Sequence, residues 1–242
     1  MSHDVCELLR VNPYPGRGII LGLSESGDST VMVYFIMGRS VNSRNRVFEK
    51  TKDGIRTKAH DPALMSDPSL VIYHPVRILN GRTIVTNGNQ TDTIYEYLLN
   101  GYGFHDALLT REFEPDAPNY TPRISGFIEP DGNYSLSILK TAETGPKCCL
   151  RCFYEYSEPI PGLGHFITTY KTDGDPLPSF EGEPIPVNIV LAGGLRLFAE
   201  SIWDALNDEN KISLYALETD LATGKTREAI FNKRCGDEQE VQ

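Results

Sequence analysis

"GRGIILGLSESGDSTVMVYFIMGR", residues 16–39, contains two β-rich runs, Gly16–Ser24 and Ser29–Arg39, on either side of a Gly-Asp turn. A connection this short can join only antiparallel strands, because a parallel return needs a crossover of a dozen residues or more. The same pattern recurs along the chain. "VFEKTKDGIRTKA" (47–59) turns at Asp53-Gly54, and "LVIYHPVRILNGRTIVTNG" (70–88) turns at Asn80-Gly81, with Pro75 at a bulge or sheet edge. "RISGFIE" (123–129) and "NYSLSILK" (133–140) meet at Pro130-Asp131-Gly132, and "CCLRCFYEY" (148–156) and "HFITTYKT" (165–172) flank a Pro/Gly loop. "KISLYALE" (211–218) and "REAIFN" (227–232) close the chain around Gly224.

Helical periodicity gathers in two clumps. The first holds Thr93–Asn100, stopped by Gly101, and Asp106 to about Arg111. The second follows the proline-rich stretch Pro176–Pro186, where Val187, Val190, Leu191, Phe198, Ile202 and Leu206 recur at three- and four-residue steps and predict the longest helix. Hairpins plus two helical clumps predict an α+β fold, layered and not doubly wound, with the 242 residues forming one domain, 1–242.

The formal net charge of −10 argues against a nucleic-acid binder. A few arginines could still build a positive pocket for a small anion. No apolar run approaches the roughly 18 residues of a membrane helix, and no signal peptide is visible at the N-terminus, so the expectation is a cytoplasmic protein without membrane partners. The five cysteines, Cys6, Cys148, Cys149, Cys152 and Cys235, include a Cys149-x-x-Cys152 spacing. No second pair completes a zinc set, so they are expected to be structural thiols buried in the core, with no metal. Rossmann, P-loop and Gly-x-Ser-x-Gly signatures are absent.

Three polar stretches are candidates for chemistry. "TIVTNGNQTDTIYEYL" (83–98) crowds short hydrogen-bonding side chains into a strand-to-helix junction. It can be read as an Asn87-Gly88 turn followed by a Thr93-x-x-Glu96 capping box, or as a cradle for phosphate or carboxylate. "GRSVNSRNRVF" (38–48) places Arg39, Arg44 and Arg46 in a loop, either solvated or suited to bidentate phosphate contact. "REFEPDAPNYTPRISG" (111–126) alternates Glu112, Glu114 and Asp116, which would share a face in extended chain and raise one another's pKa if crowded.

Taken in order, "GR" at 16–17, "GRSVNSR" at 38–44, "VIYHPVRI" at 71–78, "VTNGNQTDTI" at 85–94, "FEPDAPNYTPRISG" at 113–126, "AGG" at 192–194 and "ALND" at 205–208 resemble the archaeal-type inosine monophosphate (IMP) cyclohydrolase family. The resemblance spans roughly residues 14–220. It implies a four-layer αββα sandwich of antiparallel sheets like that of N-terminal nucleophile hydrolases, without their self-processed nucleophile. It implies ring closure of 5-formamidoimidazole-4-carboxamide ribonucleotide to IMP with loss of water, and no cofactor. The partner is then a purine ribonucleotide monophosphate; a homo-oligomer is open. By motif position the catalytic Glu, Arg and Tyr fall on Glu114, Arg44 and Tyr73. The Arg loop is two residues longer than the family form, so Arg46 competes with Arg44. Substrate contacts would come from Arg17, Arg46, Asn87, Gly88, Thr91, Asp92, Thr93 and Arg123, with His74 in support. Two alternatives stay open: a non-catalytic purine-nucleotide-binding relative, and an amidohydrolase using Cys6 as a processed terminal nucleophile.

Overall fold

The computed structural model describes residues 2–64 and 72–234. Cys235 and the first two residues of the 70–88 run lie outside the described residues. The strands are β1 (Arg17–Leu23), β2 (Ser29–Met37), β3 (Arg46–Thr51), β4 (Gly54–Ala59), β5 (Val76–Leu79), β6 (Arg82–Thr86), β7 (Arg123–Ile128), β8 (Tyr134–Ala142), β9 (Gly145–Tyr156), β10 (Leu163–Thr168), β11 (Ile185–Asn188), β12 (Lys211–Asp220) and β13 (Thr226–Asn232). The α-helices are α1 (Val5–Val11), α2 (Val41–Arg44), α3 (Gln90–Leu99), α4 (Phe104–Leu109) and α5 (Leu195–Ala205).

The strands form two sheets, ordered β11-β10-β1-β2-β12-β13 and β3-β4-β5-β6-β7-β8-β9. Each ladder within them is antiparallel. Three apolar clusters hold the layers. Alternate residues of β1 and β2 (Ile19, Leu21, Met32, Tyr34, Ile36) face the other sheet, where Phe48, Ile55, Val76, Val85, Ile124 and Leu136 meet them. The intervening residues (Ile20, Val31, Val33, Phe35, Met37) pack under α1 and α5. Ile84, Phe127 and Leu139 face Ile94 of α3 and Phe104 and Leu108 of α4. Covered on both faces, β1 and β2 are buried at every position, hence their unbroken apolar sequence.

The helices differ from the periodicity at several points: α1 and α2 lie outside both clumps, and α4 starts at Phe104 and ends at Leu109. α3 starts at Gln90 with Asn89 as N-cap, so Thr93 and Glu96 sit inside the helix and form no capping box. Buried hydrogen bonds of Gln90 and Thr91 to the preceding turn pull the start three residues forward. α5 starts at Leu195, whereas Val187 belongs to β11 and pairs with Gly164. Gly193 and Gly194, at φ +89° and +92°, interrupt the chain between them, a backbone region that glycine enters freely.

Candidate active site

Arg17, Arg46 and Arg123 are the first residues of β1, β3 and β7, and all three are buried. Glu114, in the loop before β7, is 3% exposed and stands among them. Its backbone N–H donates to the Thr121 carbonyl (2.9 Å), which ties the loop to the start of β7. Tyr73, just before β5, is fixed by Thr57: its N–H donates to Thr57 Oγ1 (2.8 Å), and that hydroxyl donates to the Tyr73 carbonyl (3.1 Å). The Tyr73 hydroxyl lies 2.9 Å from that of Tyr34 on β2, so the pair bridges the two sheets. Nearby, Tyr170 stacks on Tyr14 (5.9 Å between centroids), and its hydroxyl meets Thr121 Oγ1 at 2.7 Å.

These groups are buried yet incompletely bonded. Among the described residues, Arg46 Nη1 and Nη2, Arg17 Nε, Arg123 Nε and Glu114 Oε1 have no hydrogen-bond partner. Among them Arg46 is held through Nε, which donates to the Ser43 carbonyl at 2.8 Å. Arg123 Nη1 stands 3.9 Å from Glu114 Oε1, too far for a hydrogen bond. Buried donors without partners cost free energy unless something is bound to them. The three buried guanidiniums outnumber the carboxylates beside them, a net positive setting that suits a phosphate monoester.

Burial drives the protonation behaviour. It pushes the Glu114 carboxyl above the ordinary carboxylate range, with Arg17 and Arg123 pulling the other way. Burial lowers the Arg46 pKa, and the Arg17 charge lowers it further. Arg123 is also lowered by burial, against the pull of Glu114. For Arg17 burial opposes the charge, but the Tyr170 oxygen and Glu114 outweigh it and hold the guanidinium protonated. The Tyr34 hydroxyl is pushed well up by burial and by Tyr73. A carboxyl whose pKa burial raises, set among cationic donors, suits proton transfer beside a developing oxyanion.

Residues 14–224 match the family model described as IMP cyclohydrolase-like protein. The chain belongs to this IMP cyclohydrolase-like family. A protein named IMP cyclohydrolase from Methanopyrus kandleri is 30% identical over 185 residues, 69% of this chain and 89% of its own length. One of the same name from Methanosphaera stadtmanae is 29% identical over 163 residues, 65% of this chain and 74% of its own. A third, from Halobacterium salinarum, is 31% identical over 131 residues, 52% and 63% of the two chains. Every residue of the buried cluster, from Tyr14 to Tyr170, lies inside the span matched by the IMP cyclohydrolase-like model.

The other expected site residues of this IMP cyclohydrolase-like chain are distributed unevenly. Arg44 is half-buried, and its guanidinium donates to the Gly38 carbonyl (2.9 Å) and to Asn210 Oδ1 (3.0 Å). Asn87 donates to the Pro122 carbonyl and accepts from the Ile124 N–H. Thr91 bonds Thr86 Oγ1 and the Gly88 carbonyl. These side chains brace the junction. Gly88 lies against the cluster, since a Cβ there would collide with Arg123 Nη1 and meet Glu114 Oε1 at 3.4 Å. Asp92 accepts from Arg77 (3.1 Å) and lies 3.5 Å from His74, and Thr93, beside it on α3, is half-buried.

The acidic alternation does not survive folding: Glu112 is exposed near Arg151, Glu114 is buried, and Asp116 accepts from Thr121. Nor are all the thiols buried. Cys6 is, but Cys148 is exposed, and Cys149 and Cys152 are half-buried. Three residues apart on β9, Cys149 and Cys152 pack on opposite faces of the sheet, against the helix-side and inter-sheet clusters respectively. The Cys6 thiol sits under α5 beside Ser201 Oγ, on the sheet face opposite to Arg17.

Tyr34, Gln90, Thr121 and Tyr170 were not legible as site residues. Tyr34 had a signal, a hydroxyl within the apolar run Val31–Met37. Gln90 had one too, standing inside the polar junction.

Proposed function

We propose that this chain is an IMP cyclohydrolase that closes the ring of 5-formamidoimidazole-4-carboxamide ribonucleotide. The observation that carries the reading is Glu114, buried with a raised pKa among three arginines, each with at least one donor that has no partner among the described residues. The carboxamide nitrogen forms a bond to the formyl carbon while Glu114 takes a proton from that nitrogen. Arg46 and Tyr73 donate to the formyl oxygen as it gains charge. The carbon–oxygen bond then breaks, and the oxygen leaves as water. Its two protons come from the carboxamide nitrogen and from the formamido nitrogen, and Glu114 can return the one it took. Both reacting groups are on one ring, so holding the attacking rotamer supplies much of the acceleration.

Arg17 and Arg123 complete the positive field for the monophosphate. Arg46 takes the role that motif position left between it and Arg44, because the Arg44 guanidinium is already engaged by Gly38 and Asn210. With α1 and α5 outside one sheet and α3 and α4 outside the other, the stacking supports a four-layer αββα sandwich of the N-terminal nucleophile hydrolase kind, in one domain. The remote, buried Cys6 speaks against a processed nucleophile.

The test is to add the formylated substrate to purified protein and follow IMP by chromatography. Product formation at a catalytic rate is expected. Tight nucleotide binding without product would make the chain a non-catalytic binder, and absence of both overturns the reading.

A further inference from the structure

We infer that Gln90 is a positioning residue: it holds the Arg123 guanidinium off the Glu114 carboxyl and keeps that carboxyl free to exchange a proton. The inference deepens the proposed role of Glu114 and rests on it. A closed arginine–carboxylate pair has N···O distances of about 2.7–2.9 Å, whereas Arg123 Nη1 and Glu114 Oε1 are 3.9 Å apart. Arg123 Nη1 donates instead to Gln90 Oε1 at 2.7 Å.

Gln90 has little choice of orientation. It is fully buried, and its amide nitrogen donates to Asn87 Oδ1 (3.1 Å) and to the Ile124 carbonyl (3.3 Å). Both N–H groups being engaged, Oε1 is the end left for Arg123. Asn87 is itself fixed by the Pro122 carbonyl and the Ile124 N–H, so the chain of contacts runs from β7 backbone to guanidinium without a free rotor. Gly88 supplies the space, because a side chain there would collide with both Arg123 Nη1 and Gln90 Oε1.

The charged groups around Glu114 are Arg17 from β1, Arg46 from β3, Arg123 from β7 and Asp116 from its own loop, with Tyr73 and Tyr170 beside those arginines. Arg17 and Arg46 belong to other strands and have no bond to Gln90. Among the described residues, Arg123 alone of the three cations is tethered by an uncharged side chain. Removing the tether lets it close on the carboxylate, and an opposite charge at contact lowers a carboxyl pKa by about one to three units. A weaker base that is already ion-paired is a poorer acceptor for a carboxamide proton.

The experiment measures the carboxyl directly. Glutamate-labelled protein is titrated by carbon NMR, with Glu114→Gln assigning the resonance. In Gln90→Leu the Glu114 pKa is expected to fall by about one unit or more, and the acid limb of kcat to move the same way with a lower plateau. Gln90→Glu should do the opposite, since its carboxylate neutralises Arg123 and the Glu114 pKa rises. An unchanged Glu114 titration in folded Gln90→Leu overturns the inference. If that variant does not fold, Gln90→Glu decides, and an unshifted or lowered value overturns it. A merely structural Gln90 would lower melting in both variants without moving the titration in opposite directions. Should the wild type lack cyclohydrolase activity while the titrations shift as expected, the functional reading fails and the role of Gln90 stands.

Discussion

The junction at 86–91 and the arginine cluster beside it are both buried and both polar, but they treat their hydrogen bonds differently. In the junction Thr86, Asn87, Gln90 and Thr91 bond to one another and to backbone carbonyls. In the cluster, donors on three arginines and one oxygen of Glu114 are unused. Satisfied polar groups specify a fold, whereas unsatisfied buried ones are tolerated where a ligand completes them. Buried polar side chains alone would not have separated the two regions. Whether each buried donor and acceptor has a partner does.

Glu114→Gln should give the largest effect. It keeps size and hydrogen bonding but removes proton transfer, so kcat should fall by about 10²–10⁴-fold with little change in substrate affinity. A loss of only a few-fold would mean that Glu114 merely orients the substrate. The same variant reads the burial of the carboxyl. With its folded pKa raised above the unfolded value, the wild-type group favours the fold at low pH, and that contribution is lost as pH rises through the raised pKa. Melting of the unliganded wild type should therefore decline over that window relative to Glu114→Gln, and parallel curves would contradict it.

Arg46→Met should lower kcat by about 10- to 100-fold, the worth of charge-assisted hydrogen bonds to the developing oxyanion. Melting of the unliganded protein should rise, because an uncompensated buried charge is replaced by an apolar side chain of similar length. Turnover at saturating substrate and a thermal scan check the two halves, and a variant that melts lower would place Arg46 with the braced residues. Thr86→Val should show the reverse pattern at smaller scale. It leaves the Gly88 N–H without its acceptor at 3.2 Å and should cost about 1–2 kcal/mol of stability, with kcat at saturation unchanged. Lost turnover in folded Thr86→Val would erase the distinction between the regions.

Five hairpin turns, the strand-sized runs they join and the existence of two helical clumps were readable directly, because each depends on neighbours a few residues apart. Asn80-Gly81 and Asp53-Gly54 admit the backbone those turns need whatever surrounds them. Glu114 and Tyr73 came from motif resemblance, whereas composition and spacing alone stopped at a polar junction in an α+β chain. Long-range packing accounts for the rest. α3 begins at Gln90 and not at Thr93 because Gln90 reaches β7, 34 residues onward at Ile124. Val187 left its helical pattern because β10 offered it a ladder. Arg44 and Arg46 are equivalent in a linear reading. They part because Arg46 begins β3 and faces the space between the sheets, while Arg44 ends α2 and meets Asn210, 166 residues away. Local patterns carry information about φ and ψ. Which charge is buried, and beside what, depends on contacts between residues far apart in the chain, and those exist only once the two sheets have closed.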